Sequence, residues 1–127
     1  MNRRCPCSSG DTFDACCERY LLGAASAPTA EKLMRSRFTA FALGDVDYLR
    51  ASWHPDTAPA ELDLDPDQRW YRLDILDTDA GGLFDDAGTV EFRARYKHPE
   101  GAGEMREVSR FVRVDSRWLY LDGIVSN

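Results

Sequence analysis

Two periodicities divide the chain. Leu33, Met34, Phe38 and Phe41 recur at the three-and-four spacing of a helix with one buried face. Thr29, just after Pro28, is a residue type that caps a helix start, and Glu31 suits the positive first turn. Gly44 suits the left-handed position past the helix end. Asp45 can then cap a short second helix carrying Val46, Leu49 and Trp53. Further on the period changes to two. Val90, Phe92, Ala94 and Tyr96 alternate with Glu91, Arg93, Arg95 and Lys97, which predicts a half-buried strand. Trp70–Leu76 predicts an earlier strand, Asp77–Gly88 a turn-rich connection, and His98–Gly103 a hairpin loop. Glu104–Val114 and Arg117–Val125 predict a second hairpin turning at Asp115-Ser116. On that last strand Trp118, Tyr120 and Asp122 share one side, with Leu119 and Leu121 on the other. Apolar residues on both sides predict a strand covered on both faces. Between helices and strands, residues 54–68 hold three prolines and five acids and read as an irregular crossover. Helices followed by a meander of strands predict an α+β fold, with the helices packed on one face of the sheet.

Arg37 is the odd member of the helical stripe, three residues after Met34 and four before Phe41. Either its stem packs while the guanidinium reaches water, or it needs a buried carboxylate, because an unpaired interior charge is costly. Asp122 and Glu107 are the candidate partners.

Composition narrows the class. The 127 residues are 43% hydrophobic and 30% charged, ordinary for a globular protein and long enough to bury a core without disulfide staples. No apolar run approaches the ~18–20 residues of a membrane helix. Met1-Asn2-Arg3-Arg4 leads straight into cysteines without an apolar stretch, which predicts no secretory signal and a cytoplasmic location. A net charge of −6 and a pI near 4.8 disfavour binding to a phosphate backbone. The local basic clusters, Arg3-Arg4 and the Arg93, Arg95, Lys97 face, are the only opposing signal.

The four cysteines lie together: Cys5-Pro6-Cys7, eight residues, then Cys16-Cys17. A disulfide between the adjacent Cys16 and Cys17, or across Pro6, would be strained, and a reducing cytosol disfavours the cross-pairings. The thioredoxin-like Cys-x-x-Cys spacing is absent. A tetrahedral zinc accepts four thiolates from a tight turn and a helix start without such strain. Backbone N–H groups of Ser8, Ser9 and Gly10 can face the sulfurs, and Asp11 or Thr12 can cap a helix delivering Cys16 and Cys17. Four protein ligands leave no open coordination position, so the zinc would be structural.

Cys5-Pro6-Cys7-Ser8-Ser9-Gly10 followed by Cys16-Cys17 resembles the SEC-C motif, which also ends the bacterial preprotein translocase ATPase as a zinc-dependent protein-docking module. That motif usually has glycine where this chain has Ser8. If the position needs positive φ, Ser8 costs roughly 1 kcal/mol. The resemblance extends further. Leu33-Met34-Arg35-Ser36-Arg37-Phe38, Trp53-His54-Pro55, Gly88-Thr89-Val90-Glu91-Phe92, Glu107-Val108-Ser109-Arg110-Phe111 and Trp118-Leu119-Tyr120-Leu121-Asp122-Gly123 are together similar to the YchJ family. The resemblance implies a SEC-C zinc motif over residues 1–25. It implies a domain of the nuclear transport factor 2 type over 26–127, a cone of helices packed on a curved antiparallel sheet. It implies a protein partner for the zinc motif and leaves the activity undefined.

Domains of that shape include isomerases and dehydratases that set a carboxylate or histidine in an apolar pocket, and many that only bind, so the fold alone decides nothing. The expected pocket holds an Arg37–carboxylate pair ringed by Trp53, Tyr96, Phe111, Trp118 and Tyr120, with Tyr48, His54, Glu107 and Asp122 as further polar candidates. His54 either serves acid–base chemistry there or caps the preceding helix. Phosphate-binding glycine loops, dinucleotide fingerprints, zinc-protease helices and serine elbows are absent from the sequence. The leading expectation is an adaptor or binding protein, a monomer or homodimer, whose pocket domain takes a small ligand or mediates dimerisation. The alternative is a proton-transfer enzyme using His54 and Asp122.

Overall fold

The computed structural model describes residues 3–126, so Met1, Asn2 and Asn127, including the start of the segment read above for a signal, lie outside it. Three helices, α1 (Glu18–Leu21), α2 (Ala30–Leu43) and α3 (Val46–Ala51), precede four strands, β1 (Arg69–Ala80), β2 (Ala87–Lys97), β3 (Gly103–Val114) and β4 (Arg117–Ser126). The strands form one antiparallel sheet in the order β1-β2-β3-β4, and α2 lies across its inner face. Among the described residues no helix is long and apolar enough to cross a membrane.

The caps of α2 and α3 follow from side-chain chemistry. Thr29 has extended backbone, and its Oγ1 accepts from the Lys32 N–H at 3.1 Å. Gly44 closes α2 in the left-handed conformation at φ 77°, where a side chain would be strained. Asp45 caps α3 by accepting from the Tyr48 N–H. The inner face of α2 buries Leu33, Met34 and Phe38 against Leu73, Val90, Phe92 and Phe111. The four cysteines belong to that same apolar cluster, so the two expected units share one core.

Three expectations are corrected. First, half of Asp77–Gly88 is strand. Asp77, Thr78 and Asp79 pair with Glu91, Val90 and Thr89, and the turn is confined to residues 81–86. Ladder hydrogen bonds need only backbone, so polar side chains at the exposed end of β1 hid the pairing from a hydrophobicity pattern. Gly88 is required there, since a Cβ on it would stand 2.4 Å from the Gly81 Cα. The close approach lets the Gly81 carbonyl accept from the Ala30 N–H at 2.9 Å and so docks the start of α2.

Second, Cys16 and Cys17 sit in a turn ahead of α1, with Cys17 at its N-cap position. Asp11 caps nothing: its carbonyl accepts from the Cys5 N–H and its own N–H donates to Ser9 Oγ.

Third, β3–β4 pairing slips at a bulge: Arg110 faces Asp122, but Phe111 faces Tyr120. Leu121 is the extra residue. A one-residue slip exchanges the faces of everything beyond it, so Trp118 and Tyr120 point inward while Asp122 points outward. The segment Ser52–Thr57 runs beside β4, with His54 N–H donating to the Tyr120 carbonyl and Tyr120 N–H to the Ser52 carbonyl, both at 2.8 Å.

The outer sheet face is a mosaic of opposite charges. Arg93 pairs with Asp74, Arg106 with Glu91 and Arg95 with Glu104. The basic patch suspected from Arg93, Arg95 and Lys97 is thus interleaved with acids.

Candidate functional site

The cysteines build the first site. Cys7 and Cys16 sulfurs are 3.6 Å apart, Cys16 and Cys17 are 3.8 Å apart, and all four lie within 4.8 Å of one another. A tetrahedron with bonds of ~2.3 Å to sulfur has edges of ~3.8 Å, so the four residues fit one thiolate-loving ion. None is in a disulfide and all are buried. Hydrogen bonds from Cys17 and Cys5 hold Cys7 well below the usual thiol range, while the same contacts and burial push Cys17 up. Low dielectric and crowding oppose four bare thiolates, and a bound cation is what relieves that opposition. Zinc or a comparable ion would be held by Cys5, Cys7, Cys16 and Cys17, supplying a cross-link and leaving no position for substrate.

The surroundings tie this knot to the domain. Ser9 Oγ lies 3.3 Å from Cys16 Sγ, and the Ser9 backbone N–H faces Cys7. Ser8 N–H goes instead to the Cys5 carbonyl, and Gly10 contributes its carbonyl to Arg4. Arg35 donates from Nη1 to the Cys7 carbonyl at 3.0 Å and from Nε to Glu31. Cys5 Sγ lies 3.7 Å from Thr39 Oγ1 on α2.

Ser8 does occupy left-handed backbone, at φ 65°. Its hydroxyl accepts from the Leu73 N–H of β1 at 3.2 Å. The strain of ~1 kcal/mol and the hydrogen bond of ~1 kcal/mol are comparable. Ser8→Gly should therefore leave chemical-denaturation stability nearly unchanged, whereas Ser8→Ala, keeping strain without the bond, should cost about 1 kcal/mol. An unchanged Ser8→Ala with a Ser8→Gly more stable by about 1 kcal/mol would show the hydroxyl to be idle.

The second site is a cavity of about 230 Å³ between α2 and the inner sheet face. Phe38, Phe41, Trp53, Trp70, Phe92 and Tyr120 supply most of its wall. Arg37 and Glu107 are its two ionisable groups with formal charge. Arg37 is only 3% exposed. Its Nη1 donates to the Leu49 carbonyl at 2.9 Å and to Ser52 Oγ at 2.7 Å. The guanidinium carbon lies 4.9 Å from the Trp53 ring centroid and 4.6 Å from that of Tyr120. No carboxylate of the described residues forms an ion pair with it, so the expected Arg37–carboxylate pair is replaced by carbonyl, hydroxyl and ring partners. Glu107 lies on the same cavity but accepts from Ser109 Oγ and from the Tyr120 hydroxyl, the latter at 3.2 Å. Burial and the neighbouring Glu107 push the Tyr120 hydroxyl above its ordinary pKa, so it stays a donor.

The other candidates are placed as follows. Phe111 is buried beneath Tyr120, ring centroids 5.7 Å apart. Tyr96 packs edge-on to Trp70 at 5.1 Å without lining the cavity. Trp118 and Tyr48 line a different hollow, of about 500 Å³, between α1, α3 and β4. Trp118 donates from Nε1 to the Pro28 carbonyl, and the Tyr48 hydroxyl lies 2.7 Å from Ser36 Oγ. That hollow is larger, but the buried Arg37 and the partnerless Trp53 Nε1 belong to the smaller cavity. His54 is at neither: its Nδ1 accepts from the Asp56 N–H at 3.1 Å, so its ring neither caps α3 nor reaches Arg37. Asp122 pairs with Arg110 on the outer face at 2.6 Å, which holds its carboxyl below the ordinary range. Sequence reasoning missed Phe38, Trp70 and Phe92 as cavity residues. Phe92 was legible as an inward position of β2, but nothing local said that α2 would leave space above it.

Comparison with known proteins agrees with this architecture. The family described as the YchJ middle NTF2-like domain matches residues 29–123, and the SEC-C motif matches residues 1–19. The UPF0225 protein of Streptomyces coelicolor is 53% identical over 119 residues, covering 94% of this chain and 93% of its own length. That of Corynebacterium glutamicum is 51% identical over 125 residues, covering 98% and 99%. The solution structure of a SEC-C motif containing protein from Rhodopseudomonas palustris has a TM-score of 0.83 at 32% identity, over 100% of both chains. The crystal structure of one from Psychrobacter arcticus has a TM-score of 0.76 at 28% identity, covering 98% of this chain and 84% of its own.

Proposed function

We propose, from the premise that this chain belongs to the YchJ family, that its NTF2-like domain is a receptor for a small, largely apolar organic molecule, and that the SEC-C cysteines hold one zinc ion as a structural part of it. The cavity beside α2 carries this reading. Aromatic walls enclose two fixed polar groups, the pattern of a ligand site that gains affinity from burial and orientation from a few hydrogen bonds. Its volume of about 230 Å³ lies below the ~300–1,000 Å³ of sites for drug-sized ligands, so the occupant has about one ring.

The proton-transfer alternative loses its two named residues, because His54 and Asp122 both stand off the cavity. Glu107 is the one carboxylate at it, and two donors already occupy one of its oxygens. Partner docking by the knot is a separate proposal. Arg3, Arg4 and Arg19 are exposed on the cysteine-bearing segment, cations suited to an acidic protein segment in the cytoplasm.

The receptor reading is tested by titrating the full chain with benzyl alcohol, a one-ring neutral probe, and following amide and indole resonances. Saturable shifts concentrated at Trp53, Trp70, Phe92 and Tyr120 are expected. Shifts confined to the outer hollow around Trp118, or none up to tens of millimolar, would count against it.

A further inference from the structure

We propose that the cavity selects monocarboxylic acids in their anionic form, seating the carboxylate on Arg37 and Trp53 and the apolar body against the aromatic wall. This rests on the receptor reading above and names its ligand class.

The argument begins with unused donors. Arg37 gives both N–H groups of Nη1 to Leu49 and Ser52. The hydrogen bonds of this guanidinium are made by Nη1 alone, which leaves Nε and Nη2 as the atoms that could receive a ligand. These two atoms form the side edge of the guanidinium, whose spacing matches the two oxygens of a carboxylate. Trp53 and Tyr120 lie over the guanidinium at 4.9 and 4.6 Å, which leaves its edge as the direction of approach. Trp53 adds a second unused donor: its Nε1 is buried without a partner and belongs to the same cavity wall. Buried polar atoms are nearly always paired. Here the buried Trp53 Nε1 is unpaired, and Arg37, 97% buried, lines the same cavity about one ring wide.

The charge balance points the same way. Glu107 lines the same cavity but forms no ion pair with Arg37, and a buried cation without a close counter-ion is unfavourable unless something offsets it. The rings offset part through cation–π attraction, and an anionic ligand would supply the rest. Glu107 sets the limit. Its Oε2 is occupied by the Ser109 and Tyr120 hydroxyls, and its charge opposes a second anionic group on the ligand. The site therefore accepts one carboxylate on an apolar body, not a dicarboxylate.

The test compares benzoate with benzyl alcohol at pH 7 on the full chain, by calorimetry and by the Trp53 indole N–H resonance. Charge-assisted hydrogen bonds predict that benzoate binds at least ~10-fold tighter and moves the indole N–H downfield. Arg37→Met should collapse that preference to below ~3-fold. Trp53→Phe, which keeps an aromatic wall and removes the N–H, should reduce it by ~3-fold or more, and it keeps the test open should the Arg37 variant fold poorly. Benzyl alcohol binding as well as benzoate, or a preference unchanged in both variants, overturns the anion assignment and leaves the receptor reading standing. Binding of neither probe overturns both.

Discussion

Cys7→Ser should lower the melting temperature of the whole chain by at least ~10 °C, as should stripping metal from the wild-type protein with a strong chelator. The basis is the shared core: the four sulfurs pack in one apolar cluster with Leu33, Phe38, Leu73 and Phe92. Structural zinc contributes ~10–16 kcal/mol of apparent binding free energy in isolated zinc-binding peptides at pH 7. That equals or exceeds the ~5–15 kcal/mol by which a typical domain is stable. Even a loss of ~3 kcal/mol shifts a chain of this size by about 10 °C. Calorimetry on metal-loaded, stripped and zinc-reloaded protein measures it, with elemental analysis giving the stoichiometry. One zinc per chain and recovery on reloading are expected. If the strands melt at an unchanged temperature while only the amino-terminal segment loosens, the knot is an appendage and not part of the core. Absence of any stoichiometric ion with freely alkylated thiols would dispose of the metal altogether.

Arg37→Met should be as stable as the wild type or more so, and Arg37→Ala should be about 3 kcal/mol less stable. Burial pushes the Arg37 pKa down from its ordinary value to about 10, against the weaker pull of Tyr120, Tyr48 and Glu107. A base whose folded pKa lies below its unfolded value makes the folded state pay for the charge. That cost is fully present below pH ~10 and fades as pH rises from there toward the unfolded value. It is on the order of 3 kcal/mol, offset in part by the two Nη1 hydrogen bonds and the two ring contacts. Methionine fills much the same volume without the charge, and replacing buried ionic groups by apolar ones is often neutral or stabilising. Alanine removes the packing as well and leaves a cavity, which costs ~2–5 kcal/mol for long side chains. Urea unfolding of the three proteins at pH 7 decides it. If methionine costs as much as alanine, the cation itself holds the fold together, and the case for its being kept for a ligand fails.

What the sequence disclosed was what local chemistry determines. Thr29, Gly44 and Asp45 bound α2 and α3 because caps are set by a few adjacent atoms. The alternation through β2 was plain because one face of that strand is buried along its length. The cysteine cluster was legible because thiolates so close have few other uses. The misreadings share a cause, which is dependence on distant pairing. Asp122 kept the parity of Trp118 and Tyr120 on paper, and only the register against Arg110 and Phe111 reveals the extra residue between them. Arg37 was rightly placed on the buried face, but its partners are a carbonyl and a hydroxyl on α3 and its C-cap, contacts that no charge pattern announces. His54 was singled out for its chemistry, yet the turn at Pro55-Asp56 engages its ring.

The hydrogen bond that ties the knot to β1 through Ser8 also bears on how copies of this chain can meet. Leu73 directs its N–H away from β2 into the Ser8 hydroxyl, and β1 is further interrupted by register breaks at Trp70/Arg72 and Ile75/Asp77. At the opposite border, Ser52–Thr57 occupies part of β4. Both borders of the sheet thus offer no long uninterrupted row of free amides to a foreign strand, and strand-by-strand polymerisation is blunted. With an ion on the four cysteines, its removal would loosen the Ser8 clamp and bare the β1 border, making the stripped protein the form at risk of fibre-like aggregation.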